Sequence, residues 1–302
     1  MKFEALTKTF SKKNLPNSEV ELIGEVPYDV VQSYREHALE HIAKELEMPG
    51  FRKGHVPQDL ALKKVGEVAV LEEAVEHFVR DFYPELIEVH KLDVVGRPNI
   101  QLTKLAPGNP VGLTIRAALY PEVTLPKNWR EIVQKVPLLP YTGELPKADP
   151  PPAPEEEQKA REYMAKSAHR GKIIDALLEK VSVEVPAIFI ESELDKIISQ
   201  MKEDVARFGV KYEDYLKQIS KTEDQLRVEF REQAAKRAKL QLTLNKLAAD
   251  EKVEPDKEAV EAEMKHALEH FPDARPELVR IHIESVLRNE KVLQLLENSE
   301  KK

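Results

Sequence analysis

The sequence predicts an α+β N-terminal domain followed by an all-α C-terminal domain of helical arms. Three observations carry this prediction. A period-two apolar pattern and a later hairpin signal fall within the first 125 residues, a run of prolines follows them, and helical periodicity is almost unbroken from Glu155 onward. The expected division is 1–125 for the mixed domain, 126–154 for a proline-rich linker and 155–302 for the helical domain.

Val20, Leu22, Gly24 and Val26 alternate with Glu19, Glu21, Ile23 and Glu25, the signature of a half-buried strand. A helix is expected from Asp29, with Val30, Tyr34, Ala38, Ile42 and Leu46 four apart. The segment Gly50-Phe51-Arg52-Lys53-Gly54-His55-Val56-Pro57 interrupts it. Glycines supply backbone angles that other residues avoid, and Pro57 suits the first turn of a following helix, so a tight tip between two helices is expected. A short helix over Leu60–Val65 and a longer one over Val68–Leu92 come next, the latter carrying Leu71, Val75, Phe78, Phe82, Leu86 and Val89. Strands over Pro98–Leu105 and Val111–Leu119 flank the turn-forming Ala106-Pro107-Gly108-Asn109-Pro110.

Between Pro121 and Pro154 prolines recur, which argues against helix and central strand. Helical patterning then dominates. Tyr163–Val181 is one segment, and the extended Ser182–Pro186 leads to a second with Ile190, Leu194, Ile197, Met201, Val205 and Phe208 on one face. Thr222 and Gln225 form a capping-box pattern ahead of Leu226, Phe230, Ala234, Leu240, Leu244 and Leu247. Pro255 and Pro276 open the last two helices.

The chain has 302 residues, no cysteine and a net charge of −8, with one-third of residues charged. Disulfides and thiolate metal sites are excluded. An acidic chain makes a poor general nucleic-acid binder, so any such contact must be local. Met1–Lys8 lacks an apolar core for a signal peptide, and no apolar run approaches a membrane span, so a cytoplasmic protein without membrane contact is expected.

Residue types at the tip suit contact with something anionic: an aromatic and two adjacent cations framed by glycines. His37-Ala38-Leu39-Glu40-His41 recurs as His266-Ala267-Leu268-Glu269-His270, and H-x-x-E-H is a zinc-peptidase pattern. A third ligand cannot be identified from the sequence, so both read as solvated helix faces, and a zinc-dependent hydrolase stands only as a rival reading. No P-loop, G-x-S-x-G element or dinucleotide fingerprint occurs, so neither a catalytic residue nor a cofactor is expected.

Gly50–Pro57 resembles the ribosome-docking signature of the trigger factor family of bacterial chaperones. Val94 through Gly96-Arg97-Pro98 to Leu119-Tyr120-Pro121-Glu122-Val123 is similar to the hairpin and exit of that family's N-terminal domain. Ala176–Glu179 through Val183–Pro186 into Ile190–Leu194 resembles its first C-terminal arm, and Ala234–Arg237 through Leu244–Ala248 a later long helix. The resemblance implies that Gly50, Phe51, Arg52, Lys53, Gly54 and Pro57 dock on the large ribosomal subunit, at a protein of the exit-tunnel rim and nearby rRNA. It implies ATP-independent shielding of nascent or unfolded polypeptides by the helical half, with Ile190, Met201, Phe208, Phe230 and Leu244 as client contacts. It leaves room for a homodimer of the unbound protein. The family's usual FKBP-like prolyl isomerase domain needs on the order of a hundred residues, and only the proline-rich linker stands in its place. The expectation is therefore a chaperone rather than an enzyme; a free cytosolic holdase or assembly chaperone, off the ribosome, is the rival of the same class.

Overall fold

An antiparallel sheet in the order β1-β2-β4-β3 organises the first part of the chain. Its elements are α1 (Glu4–Thr7), β1 (Ser11–Leu15), β2 (Glu19–Val26), α2 (Tyr28–Gln32), α3 (Arg35–Glu45), α4 (Gln58–Val65), α5 (Glu67–His90), β3 (Val94–Lys104) and β4 (Val111–Leu119). The computed structural model describes residues 3–145 and 154–298. It divides into two units: 1–121 with Pro186–Ile188, and the remainder.

In the first unit α5 supplies the largest share of the core. Val70, Leu71, Ala74, Val75, Phe78, Val79, Phe82 and Leu86 are buried along one face, as the 3.6-residue repeat requires. Val20, Leu22, Val26, Val111, Leu113 and Ile115 of β2 and β4 join the same core. Phe78 and Phe82, one turn apart, stack at 4.9 Å, and Phe3 meets both edge-on. Such pairs add about 0.5–1.5 kcal/mol beyond area burial. Glu21 is buried in β2, and its register partner Arg116 on β4 donates to it through Nε at 2.7 Å.

The helix expected from Asp29 to Leu46 is two helices. Ser33 Oγ donates to the Val30 carbonyl at 2.6 Å, a local bond that competes with helix continuation. Tyr34 is tied to α5 by its ring, 5.9 Å edge-on from Phe78, and by its hydroxyl, which donates to Asp81 at 3.0 Å. The edge strand β1 and the short α1 are additions to the expected set.

The second unit contains α6 (Trp129–Gln134), α7 (Pro154–Lys180), α8 (Ala187–Arg207), α9 (Tyr212–Gln218), α10 (Glu223–Asp250), α11 (Lys257–His270) and α12 (Pro276–Asn298). Its main core joins Ile173, Leu177, Leu242, Leu247, Val292 and Leu296 from α7, α10 and α12. Arg170 on α7 grips Glu290 and Glu297 on α12, and its pKa is raised by those two carboxylates. Smaller clusters hold α8 to α10 (Leu194, Ile197, Ala234) and α11 to α12 (Val260, Met264, Ile283). The Thr222–Gln225 capping box opens α10 with both of its hydrogen bonds in place.

The expectation of a helix-free linker over 126–154 is corrected by α6 and by α7, which starts at Pro154. Trp129 and Val133 of α6 are buried in the helical core. Thr124 and Ser182 exchange backbone hydrogen bonds, so the segment is built into the second unit. Prolines flank α6 but none lies inside it, and one side-on apolar pair is enough to dock so short a helix. Residues 146–153 of the expected linker and 299–302 of the expected helical domain lie outside the described residues.

Candidate functional site

The segment between α3 and α4 is an exposed loop with an anchored base. Leu46, Met48 and the buried Val56 pack against the first unit's core. Between them the backbone makes two successive turns. Phe51 N–H donates to Met48 O at 3.1 Å, and His55 N–H donates to Arg52 O at 3.0 Å. The third residue of each turn is a glycine at positive φ: Gly50 at 89° and Gly54 at 83°. Pro49-Gly50 has the residue order of a type II turn, which demands positive φ at that position. Pro57 is the N-cap of α4, one residue ahead of the expected first turn.

Phe51, Arg52 and Lys53 stand exposed between the two glycines. Phe51 is 40% exposed, high for a phenylalanine held by well-formed backbone on both sides. Lys53 pairs with Glu45 at 3.4 Å, while Arg52 has no ion pair among the described residues. The six residues singled out from the sequence thus form one continuous surface feature with an aromatic and a guanidinium free to make contacts.

In the second unit, Met201, Phe208 and Phe230 come together. With Ile197, Val205, Val210 and Tyr215 they line an open groove of about 430 Å³. The groove follows from how α8 ends. Gly209 takes φ 72°, its N–H donates to Ala206 O at 2.9 Å, and Val210 N–H donates to Val205 O at 3.3 Å. That pair of bonds is a Schellman cap, whose flanking apolar residues meet across the turn. The cap leaves Phe208 85% exposed beside the groove rather than on the buried face of α8. Ile190 packs instead on the Leu194–Ala234 cluster. Arg227 of α10 donates to Asp195 and Glu191 of α8 at 2.7 Å each, fixing the two helices that bear the groove; its hydrogen bond to Glu191, joined by one from Arg231, pulls the Glu191 pKa down.

Leu244 is corrected as a client contact: it is buried in the helical core and unavailable to a ligand. Val210 and Tyr215 were outside the sequence-based set. The dipeptide Phe208-Gly209 carries a helix-stop signal that points to them. Phe271, Leu278 and Ile281, around the α11–α12 connection, are further exposed apolar residues.

The two H-x-x-E-H segments differ in their surroundings. His266 and His270 face each other on α11 at 4.5 Å between ring centroids, and His270 Nδ1 contacts the His266 carbonyl. His41 turns away from Glu40 and His37 to Glu73 and His77 on α5. Among the described residues, no helix is long and apolar enough to cross a membrane.

Comparison with known proteins bears on both halves. Residues 8–144 match the family model described as bacterial trigger factor protein (TF), and residues 155–298 match the model of the bacterial trigger factor C-terminus. A trigger factor of Beutenbergia cavernae is 36% identical over 116 residues, 38% of this chain and 25% of that protein. One from Frankia casuarinae is 32% identical over 117 residues, 39% of this chain and 24% of its own length. One from Natranaerobius thermophilus is 30% identical over 120 residues, 40% of this chain and 26% of its own length. These alignments span about a quarter of each relative. A solved structure of the trigger factor chaperone, described for promiscuous substrate recognition in folding and assembly activities, aligns over 95% of this chain and 98% of its own. Its TM-score is 0.54 at 14% identity, a likeness of fold.

Proposed function

The chain belongs to the trigger factor family, and on that premise we propose that it is an ATP-independent chaperone that docks at the ribosomal exit tunnel and shields nascent polypeptides. The observation that carries this reading is the loop: Phe51, Arg52 and Lys53 exposed between two glycines at positive φ. Arg52 pairs with a carboxylate of the tunnel-rim protein or an rRNA phosphate through charge-assisted hydrogen bonds, Lys53 adds a second charge, and Phe51 fills an apolar gap. Two phosphate contacts give a modest salt dependence, a log–log slope of about −1.4 to −1.8. The −8 charge of the chain disfavours nonspecific adhesion to rRNA and leaves the loop to set the orientation.

Clients engage the helical unit at the Met201–Phe208–Phe230 groove. Each fully buried client side chain contributes about 1.5–3 kcal/mol before the costs of association. A few such side chains give weak, reversible capture, and flexible Met201 suits many sequences. No cofactor takes part, and the protein works in the cytoplasm.

The reading does not include prolyl isomerase activity. The matched segments are separated only by residues 145–154, and an inserted FKBP-like domain needs on the order of a hundred residues. A proline-limited refolding assay is expected to show no acceleration.

Ribosome co-sedimentation of the wild type against Phe51→Ala/Arg52→Ala/Lys53→Ala tests the docking. The triple variant is expected to lose binding while still suppressing aggregation; undiminished binding refutes docking through the loop. A free holdase is the second reading, favoured by a groove that lies wholly within the helical unit. It predicts client protection by the wild type with no sedimentation on ribosomes.

A further inference from the structure

The geometry points to a divalent transition-metal site formed by His41, Glu73 and His77, which clamps α3, the helix leading into the loop, onto α5. Glu73 and His77 are one turn apart on α5 and therefore share a face. His41 reaches them from α3. Its Nδ1 lies 2.9 Å from Glu73 Oε1, and His77 Nε2 lies 3.4 Å from the same oxygen. All three donor atoms fall within 4.8 Å of one another, the one such group of His, Asp or Glu among the described residues.

These distances suit a metal better than they suit a settled polar cluster. With bonds of about 2.0–2.1 Å, the donors of a tetrahedral zinc site sit about 3.3 Å apart. Two of the three separations are already close to that value. The third, between the two histidine nitrogens, is no more than 4.8 Å, and the His41 side chain, 54% exposed, has room to adjust. His77 Nε2 is buried and makes no hydrogen bond, because its approach to Glu73 lacks the required direction. Tyr83 Oη, His90 Nε2 and Tyr212 Oη share that condition, so what sets His77 apart is that its Nε2 converges with two further donor atoms.

Two imidazoles and one carboxylate select zinc and its first-row neighbours over magnesium or calcium, which prefer oxygen-only sets. Exposure at His41 leaves a coordination position open to water. The H-x-x-E-H pattern is not the basis of the site: His37 and Glu40 take no part, and two of the three donors come from α5. The identical pattern at His266–His270 lacks a third donor among the described residues and serves as the internal control.

The test uses full-length, tag-free protein stripped with a chelator, titrated with ZnCl2 by calorimetry and with CoCl2 by visible absorption. One equivalent is expected to bind at micromolar or lower Kd. Glu73→Gln and His77→Ala are each expected to weaken binding at least tenfold, and His266→Ala/His270→Ala to leave it unchanged. Excess zinc is expected to raise the Tm of the wild type by several degrees and that of Glu73→Gln by much less. Circular dichroism checks folding, and if His77→Ala is unfolded, the near-isosteric Glu73→Gln decides. No stoichiometric binding at 100-fold molar excess, or binding undiminished by Glu73→Gln, overturns the site.

Discussion

Lys53 Nζ lies 3.4 Å from Glu45 Oε2, so the loop's second cation is tied back to the helix that precedes it. Both side chains are more than half exposed, and such pairs are worth about 0–1 kcal/mol. An incoming phosphate or carboxylate must compete with Glu45 for this charge. Glu45→Gln is therefore expected to tighten ribosome binding up to severalfold at low salt, with stability changed by less than about 0.5 kcal/mol. Weaker co-sedimentation of the variant would show that Glu45 helps the contact instead of competing with it.

Gly50→Ala and Gly54→Ala probe the loop's shape apart from its charge. A Cβ at Gly50 meets nothing within 4 Å, and at Gly54 only the Lys44 carbonyl oxygen at 3.9 Å. The penalty is therefore one of backbone conformation, about 1–2 kcal/mol for each residue held at positive φ. The double variant is expected to melt roughly ten degrees lower, while ribosome affinity measured well below that transition falls about tenfold or more. Its salt slope should match the wild type, since both cations remain. Wild-type affinity in the double variant would mean that composition alone is recognised.

Phe208 and Leu244 should separate client binding from folding. Phe208 is 85% exposed beside the groove, so Phe208→Ala is expected to cost less than about 0.5 kcal/mol of stability yet reduce suppression of client aggregation. Leu244→Ala opens a cavity in the helical core and is expected to cost about 2–5 kcal/mol. Aggregation suppression per folded molecule should survive that change. Urea titrations and a light-scattering assay measure the two effects.

Trp129 is the sole tryptophan, is buried, and carries the Arg130 guanidinium 4.4 Å from its ring centre. Its emission is expected to be blue-shifted, poorly quenched by acrylamide, and to change together with the helical circular-dichroism signal during urea unfolding. A solvent-exposed spectrum in the native protein would restore the picture of a free linker.

Tyr34 gives a pH prediction. Burial, reinforced by its hydrogen bond to Asp81, pushes its pKa from the ordinary 10 up to about 12. A raised folded-state pKa favours the protonated native form. The associated stability is complete below pH 10 and is lost as pH rises toward about 12. The difference ultraviolet titration between wild type and Tyr34→Phe should show one late-ionising phenol, and Tyr34→Phe should lose less stability over that window. A Tyr34 that titrates at its ordinary value would refute the assignment.

Local chemistry made the loop legible from sequence, and tertiary packing hid much else. Gly50 and Gly54 announce positive-φ turns without knowledge of the rest of the chain, and Thr222 and Gln225 announce a helix start in the same way. By contrast, β1 is nearly all exposed and shows no alternation, so only its pairing with β2 makes it a strand. Trp129 sits between prolines, and its helix exists because the helical core receives it. Leu244 and Phe208 are both apolar at helical spacing; which is core and which is surface depends on where α8 stops and which face of α10 packs. Glu73 and His77 carry no motif at all, and become a group with His41 only when α3 packs on α5.

Arg161 of α7 donates to the Gly143 carbonyl at 3.3 Å, binding the chain just before residues 146–153 to the helix just after them. Glu157 also accepts from Arg161 at 3.0 Å, so the grip includes the first turn of α7. The chain on both sides of residues 146–153 is therefore anchored to the helical unit through one side chain. Anchored flanks are what a chain needs to tolerate insertion of a foreign module. The junction is thus expected to act as a splice port, accepting a domain while α6 and α7 keep their packing. A fluorescent protein inserted between Leu145 and Pro154 should fold as a passenger and leave the helical unit's melting temperature within a few degrees of the parent chain.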